Sequence, residues 1–482
     1  MKKVLLYSPP GGLWLRGEAR CEQELENATA FTTPAPTSLC YMAAVFQQKH
    51  LQAKIVDCPI EGVTAVHFDG LIKSYAPNMA ILNASVLNLI EDLKTIERIN
   101  TYSSSIIHCV VLPYFNSVPL EKISPELFRH VDIIMVGEME GVAYDLADYI
   151  NGKITIEQIR GIVYHDKATG NMVKNAPMPP IDDLNTLPMP ARELIRNELY
   201  LRPDVGRPMA SIVDGRGCPS DCIYCLSPIT TGKKVRKRSV DSVVAEINEC
   251  GDKYKIRDFL FRSDAFTIRK DWVLEFCKKI TDQRLKISWA ANSKTISFDD
   301  EIAVAMKNAG CFLVEFGIES GSDKSLKLQK KGTTVEAAKR AVAAAKRAGL
   351  LTYGTILLGF PWEEMKDLLE TEQLIHMLKL DFIEVQVAAP YVGTELYDMM
   401  MKEGLIEGDT IGHDMIRNPA VKGTRYVSRA ELLAFRKRFL RRFYMRPFYA
   451  AKTIMRISSL RQLEQYFSYG VRLLKNILKE GI

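Results

Sequence analysis

Three cysteines stand close together in Gly215-Arg-Gly-Cys218-Pro-Ser-Asp-Cys222-Ile-Tyr-Cys225, a Cys-x3-Cys-x2-Cys spacing in a loop that also carries glycines. A structural zinc site normally closes with four protein ligands, and no fourth Cys or His lies near, the next Cys downstream being Cys250. Thiolates suit iron and sulfide, and three of them leave one coordination position open, as a catalytic cluster needs and an electron-transfer cluster does not. The remaining seven of the ten cysteines, Cys21, Cys40, Cys58, Cys109, Cys250, Cys277 and Cys311, are scattered singly, mostly among apolar residues. There a cysteine acts as a small hydrophobe. The seven histidines show no metal-ligand spacing and are assigned no role.

Such a loop needs a rigid frame. The chain has 482 residues with 47% hydrophobic content, enough for roughly three domains of about 150 residues each. Lys3-Val-Leu-Leu-Tyr-Ser-Pro-Pro reads as a buried strand feeding a loop, and strand and helix then alternate through Val136. This predicts a doubly wound, Rossmann-like α/β domain over 1–155. Residues 156–205 read as a linker, with a hairpin-like pair around Lys167-Ala-Thr-Gly and two Pro-rich stretches. From 206 to 395 six βα units follow, predicting a partial (β/α)6 barrel with its chemistry at the carboxyl ends of the strands. Within it, Thr334 is placed to cap an Ala- and Lys-rich helix that Gly349 ends.

Residues 396–482 form a helical, basic region. From Arg429 onward thirteen Lys or Arg face three Glu, so the net charge of +6 belongs to the tail. Its segment Phe435 to Tyr449 puts basic residues on one helical face and aromatics on another, as a helix packed on the barrel, a membrane-surface helix or a partner-docking helix would. No nucleic-acid fold signature accompanies it, and no nucleic-acid partner is expected. No apolar run approaches the roughly 18 residues of a membrane span. The apolar stretch after Met1-Lys2-Lys3 ends at Pro9-Pro10, too soon for a signal-peptide core. A cytoplasmic protein is expected.

The cysteine spacing, with Tyr224 before the third Cys, resembles the radical S-adenosylmethionine (SAM) superfamily. The resemblance implies a [4Fe-4S] cluster on Cys218, Cys222 and Cys225, SAM chelated at the open iron, and a deoxyadenosyl radical as product of its cleavage. Further matches follow in strand order. Asp264 in Phe261-Arg-Ser-Asp264, Asn292 in Trp289-Ala-Ala-Asn292-Ser-Lys294, Glu319 and Ser320 in Glu315-Phe-Gly-Ile-Glu319-Ser320-Gly, and Gly359 in Leu358-Gly359-Phe-Pro are implied to contact the cofactor, as is Tyr224. The alternative for Asp264 is a helix cap. Tyr391, at the end of the sixth strand, is the candidate to face substrate, or else to close the barrel rim.

The amino-terminal domain resembles the cobalamin-binding domain found upstream of many such enzymes, through Ser8-Pro-Pro, Pro36-Thr37-Ser38, Val56-Asp57 and Val136-Gly137-Glu138-Met-Glu140. The resemblance implies contacts from Ser8, Thr37, Ser38, Asn83, Ser85, Leu112, Tyr114, Phe115, Gly137, Glu138 and Glu140. Met139 stands where the family commonly has glycine. The chain has no Asp-x-His pair, so base-off cobalamin without a protein histidine ligand is expected, its lower face covered by the Leu112 to Asn116 loop.

Together these features imply a cobalamin-dependent radical SAM C-methyltransferase acting on an unactivated sp3 carbon. The alternative is a cobalamin-dependent radical SAM cyclase or ring-rearranging enzyme without net methyl transfer. The substrate stays open among a lipid, a tetrapyrrole, a natural-product intermediate and a protein residue such as glutamine in methyl-coenzyme M reductase. A low-potential electron donor is the expected partner.

Overall fold

The computed structural model describes residues 1–14, 34–85, 88–166, 168–407, 420–446, 449, 453, 455–457 and 459–479. Cys21, Lys167 and part of the basic tail's aromatic segment lie outside them.

The first run of the chain, β1 (Lys3–Ser8), sits between β2 (Gln52–Asp57) and β3 (Met79–Asn83), parallel to both. Its side chains alternate across the sheet. Val4 and Leu6 join the core under helices Thr37–Gln48 and Met139–Ile150, while Leu5 and Tyr7 join the core under Ala65–Tyr75 and Leu89–Asn100. Both faces are covered, which is why the strand reads as an unbroken apolar run. Next come β4 (Ile107–Val111) and β5 (Ile133–Met135), giving the parallel order β2-β1-β3-β4-β5. Ser8 and Asn83 end side by side at the β1/β3 switch point, where doubly wound sheets open a crevice.

The hairpin expected within the linker forms, but it belongs to the first sheet. Strands β6 (Ile162–Asp166) and β7 (Asn171–Lys174) add antiparallel to the β5 edge, so the connecting segment proper starts after Lys174 rather than at 156. Ile162 and Tyr164 bury against one core and Val163 against the other, which anchors the pair.

The second sheet is all parallel in chain order: β8 (Met209–Ile212), β11 (Asp258–Phe261), β12 (Ser288–Ser293), β13 (Cys311–Glu319), β14 (Leu351–Leu358) and β15 (Phe382–Val387). Between β8 and β11 a short antiparallel pair, β9 (Gly215–Arg216) and β10 (Arg236–Lys237), closes the cysteine loop at its root. The third barrel strand runs on through Asn292 and Ser293, because those polar residues keep pairing with β13 beyond a register shift. Thr334 caps helix Val335–Arg347 by accepting from the Ala337 N–H, and Gly349 follows at φ 75°. In the tail, helix Arg429–Tyr444 buries Leu432, Phe435, Phe439, Leu440 and Phe443 in the barrel core, and Arg436 donates to the Val385 carbonyl at 2.7 Å. For this helix the barrel-packing reading is the one observed. No helix among the described residues is long and apolar enough to cross a membrane.

The connecting segment is pinned to both sheets. Tyr200 donates to Asp57 at 3.0 Å, and Arg192, 2% exposed, donates to the Ser211 carbonyl at 2.6 Å and to Glu246 at 2.7 Å. Arg238 pairs with the same Glu246 and donates to Tyr41 of the first domain at 3.2 Å. Burial alone would raise the Glu246 carboxyl, and Arg238 and Arg192 together hold it below its ordinary value. Glu246→Ala strands two buried guanidinium groups and should lower the free energy of urea unfolding by about 3–5 kcal/mol; a loss under about 1 kcal/mol would show that the three groups do not act as one buried cluster.

Candidate active site

The cysteine loop leaves β9 through Gly217, at φ 89°, where a Cβ would lie 2.0 Å from the Lys234 carbonyl oxygen, so only glycine fits. Cys218 N–H donates to the Gly232 carbonyl at 3.1 Å. Asp264, just beyond β11, accepts from the Gly217 N–H at 2.5 Å and from the Thr231 hydroxyl at 2.6 Å, clamping the two ends of the loop together. Helix Lys270–Asp282 starts after Arg269 without a side-chain cap, so the cap alternative for Asp264 does not apply.

Cys218, Cys222 and Cys225 are half-buried on the wall of one large cavity. Ser227 N–H points at the Cys225 sulfur at 3.4 Å. Among the described residues no three His, Cys, Asp or Glu side chains converge on a single ion. A four-iron cubane asks for something else, one thiolate at each of three irons, and three partly exposed thiols on one clamped loop fit that demand.

Opposite the loop, Glu319 ends β13 at φ 62°, in the left-handed region, and is only 6% exposed. Lys331, which motif reading did not single out, reaches Glu319 at 2.6 Å and the Tyr224 hydroxyl at 3.1 Å. Burial by itself would lower Lys331; Glu319 first and Cys222 next outweigh it, so the ammonium is held above its ordinary value. The signal available in sequence was indirect: an acid ending an apolar strand calls for a cation. Asn292 donates to the Ser263 carbonyl at 2.8 Å, which fixes the amide and leaves its buried Oδ1 without a protein partner on the cavity wall. A bound group bearing an N–H or O–H fits there. Lys294 pairs with Ser220 inside the cysteine loop.

Two barrel residues read as cofactor contacts face elsewhere. Ser320 is buried with its hydroxyl 3.3 Å from that of Thr371 and accepting from the Ser322 N–H, and it does not border the cavity. Gly359, at φ 94°, leaves room for Leu432 and Val387, which a Cβ would approach to 3.1 and 3.2 Å. Its missing side chain serves helix packing.

From the first domain, Ser38, Tyr114, Gly137, Glu138 and Glu140 reach the cavity wall, with Pro113 and Met139. The two carboxylates are already engaged. Glu140 receives Arg216 at 2.6 and 2.9 Å, and Glu138 receives Arg236 at 3.1 Å with Arg216 at 3.3 Å, all four groups buried or nearly so. Burial would raise Glu140, and Arg216 reverses that, holding its carboxyl below the ordinary range. Glu138 and Glu140, implied as cofactor contacts, line the cavity and also join the domains, with Arg216 and Arg236 as partners the motifs did not reveal. Ser8, Thr37, Asn83, Ser85, Leu112 and Phe115 lie in the interior and do not border this cavity. Thr37 donates to the Ala35 carbonyl, the Ser85 N–H is taken by Asp92, and Phe115 packs edge-on against Tyr114 and Phe128. Tyr391 does face the cavity, its ring centroid 6.4 Å from that of Tyr114 across the domain junction.

The cavity encloses about 1360 Å³ and runs without a break from the first domain's strand-end loops into the barrel. A single small-molecule site usually takes roughly 300–1,000 Å³, so there is room for more than one group. Among the described residues no histidine lines it.

Residues 212–375 match the radical SAM superfamily. An uncharacterized methyltransferase of Pyrococcus horikoshii is 28% identical over 92% of this chain and 93% of its own length. The cobalamin-dependent SAM radical enzyme OxsB, solved with aqua-cobalamin and SAM, superposes with a TM-score of 0.74 at 15% identity, over 99% of this chain and 72% of that one. The radical SAM methyltransferase TsrM of Kitasatospora setae, solved with tryptophan and a SAM analogue, gives 0.65 at 16% identity over 85% and 78%. The chain therefore carries the domain of the radical SAM superfamily, within an overall fold that it shares with cobalamin-dependent radical SAM enzymes.

Proposed function

We propose that this chain is a cobalamin-dependent radical SAM C-methyltransferase acting on an unactivated sp3 carbon. The observation that carries the reading is the single cavity walled on one side by Cys218, Cys222 and Cys225 and on the other by Pro113, Tyr114 and Gly137 from the first domain. When bound, the cluster supplies the electron that cleaves SAM and cobalamin supplies the methyl carrier. The chain's own residues then have separable tasks. Cys218, Cys222 and Cys225 hold the cluster as thiolates, and Asp264 keeps their loop closed. Asn292 Oδ1 accepts from bound SAM, and Lys331 neutralises Glu319 so that a buried acid can stand beside the site. Pro113 and Tyr114 would lie against bound cobalamin, and Tyr391, across from Tyr114, would touch the substrate where the two halves meet. The wall is mostly apolar, which disfavours water beside a reacting radical.

Anaerobic turnover with cobalamin, reductant and SAM should release S-adenosylhomocysteine and 5′-deoxyadenosine in equal amounts, with a product heavier by one methylene. Deoxyadenosine without S-adenosylhomocysteine would overturn the methyltransferase reading and favour a cyclisation or rearrangement. Replacing any one of the three loop cysteines by Ala should abolish both the iron–sulfur absorption and deoxyadenosine formation; a variant that keeps both is not missing a cluster ligand. Lys331→Met leaves Glu319 uncompensated and should slow deoxyadenosine formation roughly ten-fold or more, about 1.4 kcal/mol of barrier. Lys331→Arg should retain most of the rate, and an unchanged Met variant would remove this pair from the site.

A further inference from the structure

Closed parallel barrels pack their interior with layers of side chains. This six-stranded partial barrel does not. Leu351, Tyr353, Thr355 and Leu357, alternate residues of β14, all face the open cavity, and β13 and β15 contribute their alternate residues in the same way. From Leu351 to Leu357 is six residue steps, so at roughly 3.3 Å per residue the open space follows the strand for about 20 Å. It begins at the cysteine loop and continues to the amino-terminal ends of the strands, well past the depth at which the loop, Asn292 and Glu319 sit.

The far end is mostly apolar and aromatic, with the mutually paired Arg202 and Asp204 in its wall, and it has its own mouth. Terminal helix Leu460–Lys479 lines it with Leu463, Phe467 and Val471, spaced as one helical face. Phe467 is 72% and Leu463 47% exposed although both belong to the cavity wall, which makes them its rim. Halfway along, the wall turns polar: Tyr353 donates to Glu384 at 3.3 Å, with Glu315 beside Tyr353 and Thr355 and Gln386 further along.

We propose that this lower half of the barrel is a tunnel for the apolar chain of an amphiphilic substrate, threaded through the Leu463–Phe467 mouth, with the Tyr353–Glu384 layer meeting one hydrogen-bonding group on it. The proposal takes its reaction from the methyltransferase reading and names the substrate class: lipid-like molecules with a long, flexible, largely saturated chain. A side chain on another protein's surface would fill only the upper few ångströms, and a flat macrocycle would not follow a channel about 20 Å deep between strands.

The test uses the full chain with its cluster reconstituted and measures displacement of a nitroxide-labelled stearate by saturated fatty acids of increasing length. Affinity should rise about four-fold for each added methylene that enters the tunnel, equivalent to ~0.8 kcal/mol each, and level off once it is full. Leu351→Trp, which blocks the bore, and Phe467→Glu, at an exposed rim position that the fold tolerates, should each weaken the longest chains ten-fold or more and leave the shortest unaffected. Affinity independent of chain length, or wild-type binding by both variants, overturns the tunnel. SAM cleavage is read on the same wild-type preparation. Its absence beside intact chain-length dependence overturns the methyltransferase reading and leaves the tunnel standing.

Discussion

Two glutamates and two arginines buried at the domain junction hold the rest of the site in place. Removing four charges from water is expensive, and the cost is offset only where each charge meets its partner in good geometry. Glu138 and Glu140 come from the N-cap and first turn of helix Met139–Ile150, Arg216 and Arg236 from the short strand pair at the root of the cysteine loop. The four satisfy one another in one relative placement of the halves; sliding one domain leaves a buried charge without its partner. Since Arg216 stands two residues before Cys218, the contact that joins the domains also sets where the cluster loop begins.

From that root, each later constraint leans on an earlier one. Gly217 permits the chain to pass against the Lys234 carbonyl, and Asp264 then ties the loop's two ends through one carboxylate oxygen. Across the cavity, β13 carries a register shift between Gly317 and Glu319, and Glu319 sits at positive φ, a conformation that costs of order 1–3 kcal/mol for a non-glycine residue. Lys331 holds it there. A Cβ at position 317 would collide with both Glu319 and Lys331, so the glycine is part of the same arrangement. Strain of this kind collects where a side chain must point into a site that packing alone would not select.

The same two sheets explain why one cavity can serve several groups. Both open at the carboxyl ends of their strands, and the junction turns those ends toward each other, so the crevice of a doubly wound sheet and the mouth of a barrel become one space. Because the barrel is partial, its interior is not closed by eight strands of side chains. Helix Arg429–Tyr444 packs along its edge with its phenylalanines inward, Arg436 on the Val385 carbonyl and Arg442 on Glu372. That arrangement accounts for a basic, aromatic composition that read in sequence equally well as a membrane or partner surface.

Much of this was legible before any coordinates. The Cys-x3-Cys-x2-Cys spacing points to its chemistry because thiolate number is a property of the chain itself, and helix Val335–Arg347 appears where the Thr334 cap and Gly349 place it, because caps are local. Side-chain direction is not local. Ser320 and Gly359 occupy the expected positions at strand ends yet turn toward Thr371, Leu432 and Val387, because the helix packed behind each strand decides which way the next residue faces. Glu138 and Glu140 were visible as acids but not as domain ties, since their partners lie 76 to 98 residues away in the chain. The sequence by itself determined most strands and helices and the three-cysteine spacing, all set by neighbours within a few residues; the tertiary structure alone decided which charges cancel, which residues see the cavity and how deep it runs, because each depends on groups that only folding brings together.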